Sequence, residues 1–279
     1  MEIHPIARIH SDFPGKFGIP RQSGLVPELR SRIIFEPEYR NRDAVRGLED
    51  FSHLWLIWEF SETMRGEWSP TVRPPKLGGN KRMGVFATRS PFRPNSLALS
   101  CVELQDIIFS KEDGPILEIT GADLMDRTPI YDIKPYLPYA DCKPLATGGF
   151  TDSVEVHLLR VILPDNAGQV LPAEKLLSLE KVLAQDPRPS YQNDPERIYA
   201  FEFAGVTVRF FVQNDILTVV SMSSLPAEQV SLSAAKYIFM TDIISNMWLC
   251  NNFRHGKLAL FICPKITVCL RSRRKSFCL

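Results

Sequence analysis

The chain has 279 residues and a mass of 31.7 kDa, so it can form one large domain or two of ordinary size. Hydrophobic residues at 44% and charged residues at 23% are typical of a soluble globular protein. The formal net charge of +1 excludes a global attraction to nucleic acid, so any surface for RNA must be a local patch.

The sequence lacks the usual signals for secretion, membrane insertion and metal binding. The N-terminus has no basic region followed by a long apolar region, and no stretch approaches ~18 uninterrupted apolar residues. The six cysteines are dispersed and form no C-x-x-C pair. We therefore expect a cytoplasmic protein with reduced thiols, no membrane segment and no metal site.

The first half of the chain is dominated by strand patterns. We predict strands at 3–10, 32–35, 51–60, 84–88, 97–109 and 115–120, with a short helical turn near 43–48. The segment FSHLWLIWEF at 51–60 is rich in aromatic and branched residues, which favours a buried strand. An Asp113-Gly114 turn joins the last two strands as a hairpin. This pattern predicts a mainly β protein with a small antiparallel β-barrel over residues 1–150.

The pattern changes after Gly148-Gly149, where we predict a small α+β domain over residues 151–222. Strands are expected at 154–163, 199–203, 206–212 and 216–221, and a helix at 173–185. Residues 223–279 continue neither module and end in a basic stretch. We interpret them as a divergent, irregular C-terminal extension, with an RNA-touching tail as the alternative.

One segment, VRPPKLGGNKRMGVFATRSPFRPN at 72–95, is chemically unusual. No Asp or Glu occurs between Trp68 and Val102, whereas six cations do, namely Arg73, Lys76, Lys81, Arg82, Arg89 and Arg93. A stiff, cationic and glycine-containing loop suits a polyanion or a small ligand better than a protein core. Taken alone, such a run would more often be an ordinary solvated loop.

Four segments taken together favour a functional role for this loop over an ordinary solvated loop. They are KFGIPRQ at 16–22, FSHLWLIWEF at 51–60, the 72–95 segment and ADLMDRTPIYDIKPYLPYAD at 122–141. In this order they closely resemble the TsaA-like or TrmO family, single-barrel tRNA methyltransferases that depend on S-adenosylmethionine. The resemblance covers about residues 1–222, including DPRPSYQ at 186–192, and does not extend through the C-terminal extension.

The resemblance implies a reaction and its partners. Members of the family methylate the threonylcarbamoyl-bearing exocyclic nitrogen of the adenosine just 3′ of the anticodon. Their donor site lies on a β-barrel, and no G-x-G-x-x-G follows any predicted strand here, so a Rossmann-type site has no support. The expected partners are S-adenosylmethionine and a tRNA anticodon stem-loop. The family resemblance and exposure of the aromatic Trp55, Trp58 and Phe60 also predict a homodimer.

The donor site is expected where carboxylates and amides complement S-adenosylmethionine. Methyl transfer from a sulfonium is an in-line displacement, so positioning supplies much of the rate. Asp123 and Asp126 suit the ammonium or ribose hydroxyls, although each alone would more often cap a turn, and His53 is equally compatible with a structural role. By resemblance, the donor site comprises Pro20, Arg21, Gln22, His53, Leu54, Arg89, Leu99, Asp123, Leu124, Met125 and Asp126.

The reacting nitrogen and the RNA backbone require other groups. A carbonyl substituent makes the nitrogen weakly basic, so a group that orients it or accepts its proton would help. Asp132 and Tyr136 are the candidates, although the Pro-spaced stretch YDIKPYLPY is also compatible with a rigid segment that closes the barrel. The expected phosphate contacts are the remaining cations of the basic segment, Arg73, Lys76, Lys81, Arg82 and Arg93.

Two departures from the family pattern bear on the donor site. Arg127 stands where the motif usually has glycine, and Ser96 and Ala98 replace a usual Pro and Gly. Neither change removes a charged motif residue, so we expect the pocket to persist with weaker donor binding. Two alternative functions remain open at this point: a donor- or RNA-binding barrel without turnover, and a methyltransferase that acts on another small substrate.

Overall fold

The computed structural model describes residues 2–62, 68–74, 81–153, 157–189 and 194–224. The first eight strands are β1 (Ala7–His10), β2 (Arg30–Phe35), β3 (His53–Glu59), β4 (Thr71–Val72), β5 (Met83–Gly84), β6 (Leu97–Ser110), β7 (Gly114–Thr120) and β8 (Pro129–Pro135). All but β4 and β5 form a closed antiparallel barrel in the order β1-β2-β7-β6-β3-β8. Strands β4 and β5 pair separately as a short ribbon.

Alternation along the strands fills the barrel. On β3, Leu54, Leu56 and Trp58 are buried, whereas the residues between them are partly exposed. Their neighbours inside the barrel include Ile9 of β1 and Ile130 of β8. The period-2 pattern therefore gives β3 one inner face and one outer face, and the outer face is available for a site.

The second module is a four-stranded sheet covered by helices. After a short helix α1 (Pro138–Asp141) come β9 (Arg160–Ile162), α2 (Ala167–Val170), α3 (Ala173–Ala184), β10 (Tyr199–Phe203), β11 (Val206–Gln213) and β12 (Ile216–Ser224). The sheet order is β10-β11-β12-β9, with β9 parallel to β12. The observed architecture confirms the predicted β-barrel followed by a small α+β module.

The loop between β1 and β2 belongs to the core of the second module. Phe13, Val26 and Leu29 are buried in one hydrophobic cluster with the side chains of β10, β11 and α3. The ring of Phe17 packs against Phe210, with centroids 6.5 Å apart. This loop is thereby fixed against the second sheet, and the barrel and second module lie within one compact unit of residues 1–226.

Close packing also explains a glycine in this loop. Gly18 has φ +97°, and a Cβ placed there would overlap the ring of Phe201. Only glycine combines this backbone conformation with so close an approach. The family-like segment 16–22 is therefore shaped by contacts with the second module.

Several elements differ from the prediction, and among the described residues the short elements β4, α1 and α2 were not predicted. The strand predicted at 84–88 is instead the end of β5 followed by a 3-10 turn at Val85–Ala87, and the strand predicted at 154–163 is limited to β9 in the described residues. Residues 154–156 lie outside the described ranges. The closing strand β8 was not predicted as a strand, because prolines bound it at both ends.

Residues 225–279 lie outside the described part of the chain, so the prediction for the C-terminal extension remains a prediction. Among the described helices, none is long and apolar enough to cross a membrane. Within the same ranges, no group of three or more His, Cys, Asp or Glu residues is arranged to hold a metal ion.

Candidate functional site

The loop 16–22 and the segment after β5 meet through two predicted donor-site residues. The guanidinium of Arg89 donates a hydrogen bond to the side-chain oxygen of Gln22. Arg21, the residue before Gln22, donates from Nη2 to the backbone carbonyl of Arg188 at 3.1 Å. Pro20 is buried, whereas Arg21 and Arg89 are exposed. The structure thus brings together residues from two of the four family-like segments.

Asp123 lies beside this contact, just after β7. Its carboxylate accepts a hydrogen bond from the Ser100 hydroxyl at 2.6 Å, and Ser100 Oγ accepts one from the Trp58 indole at 2.9 Å. Burial raises the pKa of Asp123, and its hydrogen bond from Ser100 and the nearby charge of Arg89 oppose that rise. A partly desolvated carboxylate of this kind is stabilised by a cationic ligand.

The carboxylate of Asp126 lies in a different local environment. One oxygen accepts a hydrogen bond from the Ser11 backbone at 3.1 Å and lies 3.5 Å from His10 Nδ1. The other is 3.6 Å from Arg127 Nε. Among the described contacts, none joins Asp126 to Asp123 or Arg89. The role of Asp126 in donor binding therefore stays a prediction. Its observed contacts hold the backbone just after β1.

Arg127 shows why the family motif usually has glycine at its position. Its φ is +62°, a left-handed conformation that costs a non-glycine residue about 1–2 kcal/mol. The backbone N–H of Arg127 donates to the Ile9 carbonyl at 2.7 Å, which helps to hold the turn. Arginine consequently occupies the turn in the conformation that glycine would adopt.

The remaining donor-site predictions divide between the barrel core and its outer wall. Leu54 and Leu124 are buried in the core, and Met125 is partly buried. Leu99 is 50% exposed on β6, where it pairs with Ile57 of β3. Because Leu54 faces the core, only its backbone is placed to line an outer pocket, whereas Leu99 presents its side chain.

Tyr136 packs on the outer wall beside His53. Its backbone N–H donates to the His53 carbonyl at 2.9 Å, and its ring centroid lies 6.1 Å from His53 and 5.8 Å from Trp55. Burial, followed by the nearby Cys142 and Asp141, raises the pKa of Tyr136. The phenol is therefore protonated at neutral pH, and its hydroxyl, which lies within hydrogen-bond reach of the Cys142 thiol, can act as a donor.

Asp132 lies on the outer face of β8, opposite Ile57 of β3. One carboxylate oxygen is 2.8 Å from Lys134 Nζ, and the other accepts a hydrogen bond from the Ile133 backbone at 2.9 Å. Asp132 and Tyr136 thus follow the same outer side of one chain segment, and both predicted catalytic residues lie at the wall that carries Leu99 and His53.

The described residues of the basic segment include strand β5, which pairs with β4 as a ribbon flanked by exposed cations. Arg73, Lys81 and Arg82 are exposed, and Arg82 donates to the Thr71 hydroxyl at 3.1 Å across the ribbon. Arg93 is half-buried and donates to the Thr88 carbonyl at 3.4 Å. Lys76 lies outside the described residues, so its predicted role is left as a prediction.

Sequence reasoning missed several polar groups that support the site. Ser100 holds Asp123, and the Ser23 hydroxyl accepts a hydrogen bond from the Cys101 backbone at 3.2 Å. Arg188, whose carbonyl binds Arg21, is itself paired with Asp186. Ser23 directly follows the family-like segment 16–22, and Asp186 and Arg188 lie within the family-like DPRPSYQ. Their position in or next to these segments could have identified them from the sequence.

Comparison with known proteins assigns both modules. Residues 8–142 match the tRNA-methyltransferase O N-terminal domain, and residues 158–225 match the TrmO C-terminal domain. A tRNA (adenine(37)-N6)-methyltransferase of Escherichia coli (strain K12) is 44% identical over 219 residues, which are 76% of this chain and 93% of the relative.

Two further proteins extend the similarity. A Pyrococcus abyssi protein named "Probable S-adenosyl-L-methionine-binding protein" is 32% identical over 183 residues, which are 63% of this chain and 93% of the relative. The crystal structure of TrmO from Pseudomonas aeruginosa superimposes with a TM-score of 0.64 at 32% identity, covering 80% of this chain and 98% of the other. The barrel and the second module are thus shared together.

Proposed function

The chain belongs to the tRNA-methyltransferase O family, and from that premise we propose that it methylates the exocyclic nitrogen of threonylcarbamoyl-adenosine next to the anticodon of tRNA. Bound S-adenosylmethionine would supply an electrophilic methyl group: an N–C bond forms at that methyl carbon as the nitrogen loses its proton, the C–S bond breaks, and the neutral thioether S-adenosylhomocysteine leaves. The protein's own residues bind the two reactants, orient them and exclude water.

The cluster of Asp123, Ser100, Arg89 and Gln22 carries this proposal. Asp123 is a partly desolvated carboxylate that suits the donor's ammonium or ribose hydroxyls, and Arg89 suits the donor's carboxylate. The amide of Gln22 lies between the two loops. The residues present therefore fit an amino acid joined to a nucleoside, which is the chemical character of S-adenosylmethionine.

The outer wall of the barrel provides groups for the reacting base. Tyr136 is protonated at neutral pH and can donate to the carbonyl oxygen of the threonylcarbamoyl group. Asp132 can orient the N–H or accept its proton, in competition with Lys134. Together they would hold the nitrogen toward the methyl group, which makes both residues candidates for catalysis.

The RNA is bound through the basic segment in this proposal. Arg73, Lys81 and Arg82 are exposed and suited to phosphates of the anticodon stem-loop, and Lys76 and Arg93 complete the proposed set. Specificity would come from the modified base, because loop nucleotides can be turned outward and read on their exposed edges. A homodimer in the cytoplasm, where tRNA is used in translation, completes the proposal.

Mass spectrometry of tRNA nucleosides tests the reaction. Purified protein and isotopically labelled S-adenosylmethionine are incubated with tRNA that carries the threonylcarbamoyl group and with the same tRNA lacking it. We expect labelled methyl only on the threonylcarbamoyl-adenosine. Equal methylation of both tRNAs would contradict the substrate, whereas donor binding with no methylation of either would favour a binding protein without turnover.

A further inference from the structure

Two large aromatic side chains are exposed together beside the β4–β5 ribbon. Trp68 is 51% exposed and Phe86 is 73% exposed, and their rings stack with centroids 6.3 Å apart and an interplanar angle of 28°. Neither the donor site nor the phosphate contacts proposed above uses this pair. Large aromatic groups exposed to water gain free energy when a partner covers them, so such a pair indicates a binding surface.

The backbone holds the pair in place on both sides. Trp68 precedes β4, and Phe86 lies in the 3-10 turn that follows β5, so the β4–β5 ribbon brings them together. The Val85 backbone N–H donates to the Pro70 carbonyl at 3.0 Å, and the Val85 side chain is buried. Anchoring by Val85 thus leaves its neighbour Phe86 directed to the surface.

The charges around the pair identify what could cover it. Arg73, Lys81 and Arg82 are exposed on the same ribbon, and the sequence contains no acid from Trp68 to Val102. A neutral apolar partner would gain nothing from these cations, whereas an unpaired nucleotide offers a flat π-face and a phosphate at once. Stacking of bases on aromatic side chains within a cationic surface is the usual mode of single-stranded nucleic acid binding.

We propose that Trp68 and Phe86 form a platform on which an unpaired base of the RNA loop stacks, next to the base that is methylated. This inference rests on the proposed tRNA substrate and adds two residues that position it. Phe86 is three residues before Arg89, so the chain separates them by at most roughly 10 Å. Since Arg89 contacts Gln22 of the donor loop, a short stretch of chain joins the platform to the proposed donor site.

Paired substitutions separate stacking from charge. Phe86→Leu and Trp68→Leu remove the aromatic faces, whereas Phe86→Tyr and Trp68→Phe retain them. Phe109→Leu is the matched control, because Phe109 is 46% exposed on β6 and is contacted by Arg42. Affinity for the modified tRNA is measured by fluorescence anisotropy at several salt concentrations, and donor affinity is measured by calorimetry.

We expect each Leu variant to bind tRNA about tenfold more weakly, with donor affinity unchanged. The slope of tRNA affinity against salt should also stay unchanged, because no phosphate contact is removed. The aromatic replacements and Phe109→Leu should bind tRNA as the wild type does. Equal tRNA affinity of the Leu variants and the wild type would overturn the platform while leaving the methyltransferase intact.

Two other results also decide the matter. If light scattering shows that the Leu variants dissociate into monomers, the aromatic pair covers a second copy of the chain and the platform is overturned. If the wild-type protein does not bind tRNA at any salt concentration, the proposed function and the platform both fail. If the Leu variants bind tRNA tenfold more weakly and light scattering gives the same oligomer mass as for the wild type, the platform is supported.

Discussion

The hydroxyl of Ser100 donates a 2.6 Å hydrogen bond to the carboxylate of Asp123 and so connects the barrel interior to the proposed donor site. Ser100 is buried on β6 and also accepts a hydrogen bond from Trp58. The hydrogen bonds to Trp58 and Asp123 therefore fix the orientation of the Ser100 hydroxyl, and this hydroxyl in turn holds the Asp123 carboxylate in place. A carboxylate prearranged in this way loses little freedom when a ligand binds.

Asp123→Asn should weaken donor binding without weakening the fold. The amide keeps the shape but loses the charge, so we expect donor affinity to fall by about 1.5–3 kcal/mol, the scale of a hydrogen bond to a charged group. Because burial raises the pKa of Asp123, its ionised form disfavours folding at neutral pH. The melting temperature of the ligand-free variant should therefore equal or exceed that of the wild type. Calorimetry and thermal unfolding measure both, and unchanged donor affinity would remove Asp123 from the site.

The same carboxylate predicts a pH dependence. A raised folded-state pKa means that the stability Asp123 contributes is present below its unfolded value of 3.8 and is lost as pH rises through the folded value. Donor binding has the opposite trend, since a cationic donor prefers the ionised carboxylate. Donor affinity of the wild type should rise across the acidic range just above 3.8, and Asp123→Asn should remove that rise.

Asp186 should affect donor binding through Arg188 and Arg21. Asp186 accepts two hydrogen bonds of 2.8 Å from the Arg188 side chain, and the Arg188 carbonyl accepts one from Arg21. Asp186→Asn weakens this arrangement yet suits the backbone, because φ is +51° and asparagine tolerates it. We expect a several-fold loss of donor affinity by calorimetry.

The control for Asp186 is Asp165→Asn on the same module. Asp165 is exposed in the turn before α2, and none of the interactions described for Arg188 or Arg21 involves it. It should leave donor affinity unchanged. Equal losses in both variants would mean that the second module acts through its stability and has no specific effect on Arg21.

The barrel was predictable from sequence because its strands alternate or carry strong turn signals. FSHLWLIWEF buries every second residue as β3, and Asp113-Gly114 marks the β6–β7 hairpin. Strand β8 was missed because prolines at both ends resemble a loop, and its pairing with β3 carries an irregularity at Ile57 and Trp58. Its partners β1 and β3 are far away in sequence, and tertiary pairing decides its conformation.

The candidate site was predictable as a set of segments but not as contacts. Asp123 and Asp126 look equivalent in ADLMD, yet the first contacts Ser100 and the second contacts Ser11. Their distinct environments follow from the turn that Arg127 completes at positive φ, which no local propensity of arginine indicates. The attachment of the 16–22 loop to the second module likewise depends on long-range packing of Phe17.

Lys81→Ala and Arg82→Ala should weaken tRNA binding through lost phosphate contacts. Each contact removed should lower the magnitude of the salt slope by about 1, so the double variant should show a clearly flatter dependence. Donor affinity should be nearly unchanged. Lys181→Ala on α3 is the control, since Lys181 is exposed on the second module away from the ribbon. An unchanged slope in the double variant would exclude these two residues from the phosphate contacts.

The exposed apolar residues that could form the proposed homodimer interface differ from those predicted from the sequence. The prediction assumed exposure of Trp55, Trp58 and Phe60, but Trp58 is 6% exposed and packs in the barrel with Phe60 against it at 4.5 Å. That part of the premise was wrong because Trp58 faces the inner side of β3. Other exposed apolar residues of the barrel module include Leu99, Tyr139 and Leu145, the last at 96% exposure.

Leu145→Glu should therefore lower the dimer affinity. Burying a charge in an apolar contact is costly, so we expect light scattering at micromolar concentration and moderate salt to show a shift from dimer toward monomer. Leu177→Glu, at a 47% exposed position on α3, should leave the mass unchanged. A wild-type mass equal to one chain under the same conditions would contradict the homodimer itself.

Tyr136→Phe should lower the rate of methyl transfer without changing donor affinity. The raised pKa keeps the hydroxyl protonated at neutral pH, so its proposed role is to donate a hydrogen bond to the substrate carbonyl. Removing it should reduce kcat by about 10- to 100-fold and leave the shape of the pH–rate profile unchanged. Single-turnover kinetics with threonylcarbamoyl-modified tRNA measures this directly.

Two companion variants give the Tyr136 experiment its contrast. Tyr131→Phe removes a hydroxyl from β8, the strand that ends just before Tyr136. That hydroxyl is bonded to Glu59 and has its pKa raised to about 12, so the rate should be nearly unaffected. Asp132→Asn removes the candidate proton acceptor and should slow the reaction. If Tyr136→Phe and Tyr131→Phe slow transfer equally, the effect of Tyr136 is structural and the substrate carbonyl is held by another group.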